Sequence, residues 1–289
     1  MFTTQTITQI IKERFSVRVY QETPIPDDIQ KEFQSRLDTI HKGPLGSPVR
    51  LKLLAATPED TQALRGIGTY GTIKNPTGFI VGAVEAGKFA MEDYGYTMEE
   101  AVLMATALGL GTCWVGGLFT QSGFAQKVGK FEHEIIPAVT ATGFAAEDLR
   151  VQDRSQQLVH NHQRQPWANL FFDGKFSKPL SQEAAGPYRE ALEMLRIGPS
   201  ASNKQPWRVI RDGTHWYFYC LRTPGYGKGT LLFTLLRLAD LQRLDVGIAM
   251  CHFEMTAREQ GLSGSWIVRD PGLAPVDKNT VYIATWNES

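Results

Sequence analysis

Two short segments carry residue types that could hold a flat, charged ligand. The first is Pro199-Ser200-Ala201-Ser202-Asn203-Lys204-Gln205-Pro206-Trp207, set between an amphipathic run, Tyr188 to Ile197, and a strand-like run, Trp207 to Ile210. Its small side chains let a planar ligand approach the backbone. Ser200, Asn203 and Gln205 offer hydroxyl and amide groups, and Pro199 and Pro206 fix φ near both ends. The same composition also suits a rigid helix-to-strand connection. The second segment is Arg14-Phe15-Ser16-Val17-Arg18-Val19-Tyr20. If it is extended, Arg14, Ser16 and Arg18 share one face and Phe15, Val17 and Val19 the other. Two guanidiniums flanking a hydroxyl match a phosphate monoester, because the planar fork of Arg donors fits its oxygens. A solvated basic face on an edge strand has the same pattern.

The elements that must position these segments can be read from periodicity and from an internal repeat. Residues 5–13 have Ile7, Ile10 and Ile11 at helical spacing, so a short helix precedes the arginine segment. Sliding residues 93–114 along by 152 positions places Asp93, Gly95, Met98, Ala105, Gly109, Leu110 and Trp114 on Asp245, Gly247, Met250, Ala257, Gly261, Leu262 and Trp266. Both copies read as a long, largely buried helix, a glycine break and a Trp-led strand. Gly43-Pro44 echoes Gly198-Pro199, and Val139-Thr140-Ala141-Thr142 echoes Tyr282-Ile283-Ala284-Thr285. So long a period means domain duplication rather than a solenoid. The polar, Gly- and Pro-punctuated stretch 173–179 is the expected joint, giving halves 1–172 and 180–289.

Together the segments resemble the nitroreductase-like flavoprotein family. Gly109-Leu110-Gly111-Thr112-Cys113-Trp114-Val115-Gly116-Gly117 is similar to that family's Gly-Leu-Gly-x-x-x-x-Gly-Gly segment, and Ile136 to Phe144 to its last core strand. The resemblance implies an α+β fold of two tandem half-repeats, each a mostly antiparallel sheet flanked by helices, together forming a pseudo-dimer. It implies FMN, with Arg14, Ser16 and Arg18 on the phosphate and ribityl chain and Pro199, Ser200, Ala201 and Asn203 reaching the same flavin from the other half. Lys74 or Asn75 would approach the pyrimidine ring, where a cation or donor favours reduction. Trp114, Val115, Gly116 and Gly117 would bring backbone N–H groups to the N5 and O4 edge. Arg150 and Arg154 would finish the phosphate clamp, or are surface charge. The implied activity is transfer of electrons from NADH or NADPH to a nitroaromatic, quinone or similar flat acceptor. A non-catalytic flavin-binding protein and other flavin chemistry on the same fold are the alternatives.

The halves are not equivalent. The first keeps Arg14, Ser16 and Arg18, but its loop counterpart, Gly43-Pro44-Leu45-Gly46-Ser47-Pro48, has neither the Asn nor the Gln. The second keeps Pro199 to Trp207 without an Arg-x-Ser-x-Arg. Complementary loss implies one flavin site per chain, in a monomer or a homodimer.

Composition narrows the function classes. The 289 residues carry 30 Lys plus Arg and 30 Asp plus Glu, so no global field recruits nucleic acid or an anionic membrane. There is no basic-then-apolar leader and no apolar run near 20 residues, which points away from secretion and membrane spanning. Cys113, Cys220 and Cys251 are odd in number and far apart, as expected of a reduced, cytoplasmic protein. Cys113, among apolar neighbours, reads as a packed thiol. Gly66-Ile67-Gly68-Thr69-Tyr70-Gly71 satisfies G-x-G-x-x-G, but a polar, helix-like run, Pro58 to Leu64, precedes it and Pro76 follows too soon, so a dinucleotide fold is not implied. His160 and His162 lack companion ligands for zinc, and His252 reads as a core histidine.

Overall fold

In the computed structural model the described residues are 5–56, 64, 67–69, 71, 73–117, 119–146, 163–226, 239–274 and 277–289. The chain divides into two compact units, Met1–His162 and Gln163–Ser289.

The first unit opens with α1 (Ile7–Glu13). Thr6 starts it through a capping box, its hydroxyl accepting from the Gln9 N–H while the Gln9 side chain accepts from the Thr6 N–H. Then follow α2 (Asp27–Leu37), β1 (Val49–Ala55), β2 (Gly78–Glu85), α3 (Ala90–Ala107), β3 (Gly111–Val115), α4 (Gln121–Lys127), β4 (Glu134–Ile135) and β5 (Val139–Gly143). The sheet is antiparallel in the order β1-β2-β5-β3, with β4 also paired to β2. Strand β2 is buried along nearly its whole length because both its faces are covered. Gly82 lies against the Tyr94 ring of α3, and Tyr94 Oη accepts the Gly82 N–H while donating to Ala138 O. On the opposite face Phe79 meets Phe124 of α4 edge-on at 5.0 Å.

The second unit contains β6 (Phe171–Asp173), α5 (Arg189–Arg196), β7 (Trp207–Asp212), β8 (His215–Leu221), α6 (Leu241–Glu259), β9 (Gly264–Ile267) and β10 (Thr280–Glu288). Its strand order is β6-β7-β8-β10-β9, with β6 parallel to β7 and the rest antiparallel. Phe253 of α6 is packed among Tyr188, Trp216, Phe218, Trp266 and Trp286, which makes an aromatic core between helix and sheet. Among the described residues no helix is long and apolar enough to cross a membrane.

The duplication read from the sequence recurs in the topology: β1-β2-β5-β3 and β7-β8-β10-β9 are the same path, with α3 and α6 in matching places. Both long helices end identically. Leu110 N–H bonds Ala105 O and Gly109 N–H bonds Thr106 O, each at 2.9 Å. In the second unit Leu262 N–H bonds Ala257 O at 2.9 Å and Gly261 N–H bonds Arg258 O at 3.0 Å. This pair of bonds requires a left-handed residue, and Gly109 and Gly261 have φ of +77° and +74°. The Trp residues come late in their strands, not first: Trp114 is fourth in β3 and Trp266 third in β9.

One boundary differs from the sequence expectation. The stretch 173–179 is no linker. Asp173 closes β6, Gly174 N–H donates to Arg211 O, and Asp173 N–H donates to Lys178 O, so these residues form a tight loop inside the second unit. Polar, Gly-punctuated sequence marks a tight turn as readily as a joint. The calls at residues 58–63, at Gly66 and Tyr70, and at Arg150, Arg154, His160 and His162 lie outside the described residues.

Gly109→Ala and Gly261→Ala should each lower stability by about 1 kcal/mol, because an L side chain is disfavoured in the left-handed region. Denaturant unfolding measures this, and an unchanged midpoint for either variant would contradict the shared helix stop.

Candidate functional site

The arginine segment is laid against the open edge of the first sheet by main-chain bonds. Val17 N–H bonds Thr112 O of β3 at 2.8 Å, Lys74 N–H bonds Arg18 O at 2.8 Å, and Tyr20 N–H bonds Lys74 O at 3.1 Å. Ser16 pairs in parallel with Thr112, and Val19 with Lys74. Gly111 makes this approach possible, since a Cβ there would stand 2.6 Å from Val17. The segment thus sets Ser16 beside Thr112 and Arg18 beside Lys74, with Asn75 next in the chain. Arg18 and Lys74 are both exposed, and neither has an ion-pair partner among the described residues. Asn75 adopts a φ of 53°, and its amide donates to Glu22 at 3.2 Å.

Arg14 departs from the expected face. It caps α1, donating its N–H to Ile10 O, and its side chain turns inward, 6% exposed, with Nε 3.8 Å from Glu99 of α3. The other Glu99 oxygen accepts the Trp114 indole N–H at 2.7 Å. Arg14 is itself extended, at φ −60° and ψ 127°, but a buried carboxylate claims its charge, so it leaves the face that Ser16 and Arg18 were expected to share with it. Burying an ion pair is tolerable only where further hydrogen bonds complete it, and Trp114 supplies one.

The Trp114 to Gly117 stretch divides. Because Val17 takes the Thr112 carbonyl, the main-chain groups of Thr112 and Trp114 point towards the arginine segment, and those of Cys113 and Val115 towards β5. Val115 is therefore spent in the ladder and offers no free N–H. Gly116 and Gly117 lie beyond the strand. A Cβ on Gly117 would meet nothing within 4 Å, so the space before it is open. Cys113 is buried in the core, as a packed thiol should be.

In the second unit the nonapeptide is a strained connection. Ser202, Asn203 and Gln205 all have positive φ, at 49°, 54° and 47°. Such backbone persists only when surroundings over-determine it. Here Gln205 does so: 1% exposed, it accepts the Gln165 N–H at 2.7 Å, and its amide donates to the Asn203 main-chain and side-chain oxygens. It is a brace, and its amide does not face outward as the sequence suggested. Arg164 donates to Gly198 O at 2.7 Å and Asn203 Oδ1 at 3.1 Å. Ser200 Oγ accepts the Gln205 N–H at 2.9 Å. The Ala201 N–H is also committed, to Asp245 Oδ1 and Oδ2 at 3.0 and 3.1 Å. Polar groups of the loop with no hydrogen-bond partner among the described residues include the Ser200 hydroxyl hydrogen and the Asn203 amide nitrogen, beside half-buried Pro199, while exposed Lys204 lies 5.4 Å from the Tyr226 ring. Behind the loop, His252 is buried with Nδ1 3.0 Å from Met194 O, a core histidine as expected.

Sequence reasoning found Asp93 and Asp245 as repeated residues but missed their task. Asp93 accepts the Leu45 and Ser47 N–H groups at 2.6 and 2.8 Å, so each repeated aspartate ties its Gly-Pro loop to its long helix. Gly43 is required there, because a Cβ would overlap the Asp93 side chain. Two identical acids inside two apolar helices were the available signal. Burial raises both carboxyl pKa values, Asp245 well above the usual carboxylate range, with Asp240 nearby adding to it. A carboxyl that holds its proton more tightly when folded contributes most stability below its unfolded pKa, near 4, and loses it as pH rises towards the folded value. Asp245→Asn keeps an acceptor but cannot ionise. Its stability relative to the unsubstituted chain should therefore be lowest at acid pH and rise as pH increases above the usual carboxylate range. A pH-independent difference in unfolding free energy would contradict this.

Residues 6–257 match the family described as "Putative TM nitroreductase". Among solved structures, a "putative nitroreductase" of Thermotoga maritima MSB8 is similar over 99% of this chain and 95% of its own, at 18% identity and a TM-score of 0.59. A nitroreductase family protein of Clostridium difficile 630 covers 50% of this chain and 86% of its own, at 18% identity and a TM-score of 0.39. A nitroreductase with bound FMN from Bacteroides fragilis covers 50% and 90%, at 21% identity and 0.37. No curated protein matches. With the family matched over most of the sequence and the fold shared end to end with the Thermotoga protein, this chain belongs to the nitroreductase family of oxidoreductases.

Proposed function

We propose that the chain binds FMN and passes electrons from NADH or NADPH to a nitroaromatic, quinone or similar flat acceptor. One observation carries this reading: Arg18 and Lys74, exposed and without carboxylate partners among the described residues, are joined by a main-chain bond of 2.8 Å, two residues along from Ser16. Two adjacent cations and a hydroxyl supply the charge and donors that a phosphate monoester requires. A Gly rim leaves room for a flat ring. The residues present therefore fit FMN. A nitroreductase with bound FMN and one named FMN-dependent are among the structures of this fold.

In this reading Arg18 and Ser16 bind the phosphate, and Arg14, held by Glu99, fixes the segment that carries them. Lys74 or Asn75 places positive charge or a donor towards the pyrimidine ring, and Trp114 directs its main-chain N–H at the ring edge. Pro199, Ser200, Ala201 and Asn203 are the further proposed contacts, with Ser200 and Asn203 as donors and Pro199 and Ala201 as apolar walls. When bound, FMN supplies the hydride-accepting centre, so the protein needs no dedicated acid or base and its work is orientation and electrostatic tuning.

The purified, FMN-reconstituted chain should be yellow and bleach on anaerobic addition of NADH or NADPH. A yellow protein indifferent to both nicotinamides would show binding without turnover. One that never takes up FMN would reject the proposal. Arg18→Ala should weaken FMN binding by about 1.5–3 kcal/mol, the worth of a charge-assisted contact. An unchanged dissociation constant would remove Arg18 from the site. Asn203→Ala should alter flavin affinity or reduction rate, and a change in stability alone would exclude Asn203.

A further inference from the structure

The two repeated aspartates do the same job under different electrical conditions. Asp93 takes two main-chain donors, the Leu45 and Ser47 N–H groups, and the Ser47 hydroxyl and the Lys42 ammonium also favour its charge. Asp245 is 2% exposed and takes one donor, the Ala201 N–H, shared between its two oxygens at 3.0 and 3.1 Å. No ion pair reaches it. Of the charged groups around it, Asp240 is held by Arg222 at 2.6 Å and still opposes a second negative charge. Arg164 turns to Gly198 O and Asn203 Oδ1, and Arg208 to Gln205 O and Trp207 O. Lys204 lies over the Tyr226 ring, Arg196 of α5 pairs with Glu193, and His252 faces Met194 O. A buried carboxylate with one donor and no cation is costly, whereas its protonated form is not. The loop that Asp245 holds is strained, with positive φ at Ser202, Asn203 and Gln205. Among the described residues the Ala201 bond is the only hydrogen bond from 199–207 to α6.

We infer that Asp245 is a proton-operated latch: with a proton on its carboxyl the nonapeptide lies closed against α6, and loss of that proton favours an open loop in which the carboxylate meets water. The sign follows from where the proton is held more tightly. In the open loop the carboxyl ionises at its ordinary value, near 4, while in the closed loop burial holds the proton to higher pH. Between those two values each pH unit makes opening about tenfold easier. The strained turn adds to the tendency to open once the tie is lost. The loop of the first half responds less, because two donors and Lys42 stabilise the Asp93 carboxylate where it stands. The consequence for flavin rests on the function proposed above: Ser200 and Asn203 belong to the latched loop, so FMN is held less firmly as pH rises. The latch itself needs no flavin.

The test is amide exchange in the full-length chain without added flavin, from about pH 5 to about pH 9. An amide exposed by a pH-independent opening exchanges about tenfold faster per pH unit, through hydroxide catalysis alone. Ala201 should instead exchange about a hundredfold faster per unit, returning to tenfold once Asp245 has ionised in the closed loop. Asp245→Asn should show the tenfold slope throughout. Phe218 of β8 should stay far better protected than Ala201, which marks the opening as local. A tenfold slope for Ala201 across the whole range in the unsubstituted chain, a hundredfold slope that survives Asp245→Asn, or equal protection at Ala201 and Phe218 would overturn the inference. FMN affinity over the same pH range is measured separately. A chain that never binds FMN refutes the proposed function, while the Ala201 slope still decides the latch.

Discussion

Three main-chain hydrogen bonds decide where the charge of this protein stands. Val17 on Thr112 docks the segment after α1 onto β3, and Lys74 on Arg18 and Tyr20 on Lys74 tie it to the stretch that leads into β2. Main-chain bonds are insensitive to side-chain identity, so the docking leaves the side chains of Ser16, Arg18 and Lys74 free for chemistry. The geometry is tight enough to demand glycine at 111. Arg14 anchors the near end of the segment through Glu99, and Tyr20 anchors the far end, its hydroxyl donating to Ala141 O at 3.0 Å inside the core. Of two arginines that look equivalent in sequence, one is therefore a structural bolt and the other a candidate for binding.

The second half meets the same structural demand by other means. Its repeated Trp266 donates to Glu254 of α6 at 2.6 Å, as Trp114 donates to Glu99 of α3. The arginine beside Glu254 is Arg258, one turn along the same helix, at 2.7 Å. The ion pair that in the first half recruits an N-terminal segment is local in the second, so that half completes its core without an Arg-x-Ser-x-Arg. The loops diverge in the opposite sense. Both are tied to a buried aspartate, but the loop of the second half carries a strained, amide-rich turn braced by Gln205, and that of the first is reduced to Gly43–Pro48. Duplication kept the anchors in both halves and left each candidate binding segment in one.

The regular elements and the repeat were legible because their signals are local. The isoleucine spacing of α1, the glycine stops at 109 and 261, and the helix and strand periods need only neighbouring residues. Hidden parts depend on contacts distant in sequence. Arg14 turns inward because of Glu99, which no spacing within the segment reveals. Strand β6 is three residues long and pairs, among the described strands, only with β7, so from sequence Phe171 and Phe172 read as the end of the first half and Asp173 as the start of the joint. Gln205 looked like a ligand donor because its amide chemistry was visible and its burial was not. Asp93 and Asp245 were visible as identities, yet their role needed the loops they hold.

The account's central claim is that only one anion-binding segment survives per chain. FMN released from the saturated, gel-filtered protein, counted against protein concentration, measures this directly. The account predicts one flavin per chain. Two per chain would mean that the second half has kept a phosphate site of its own, and the asymmetry described here would be wrong.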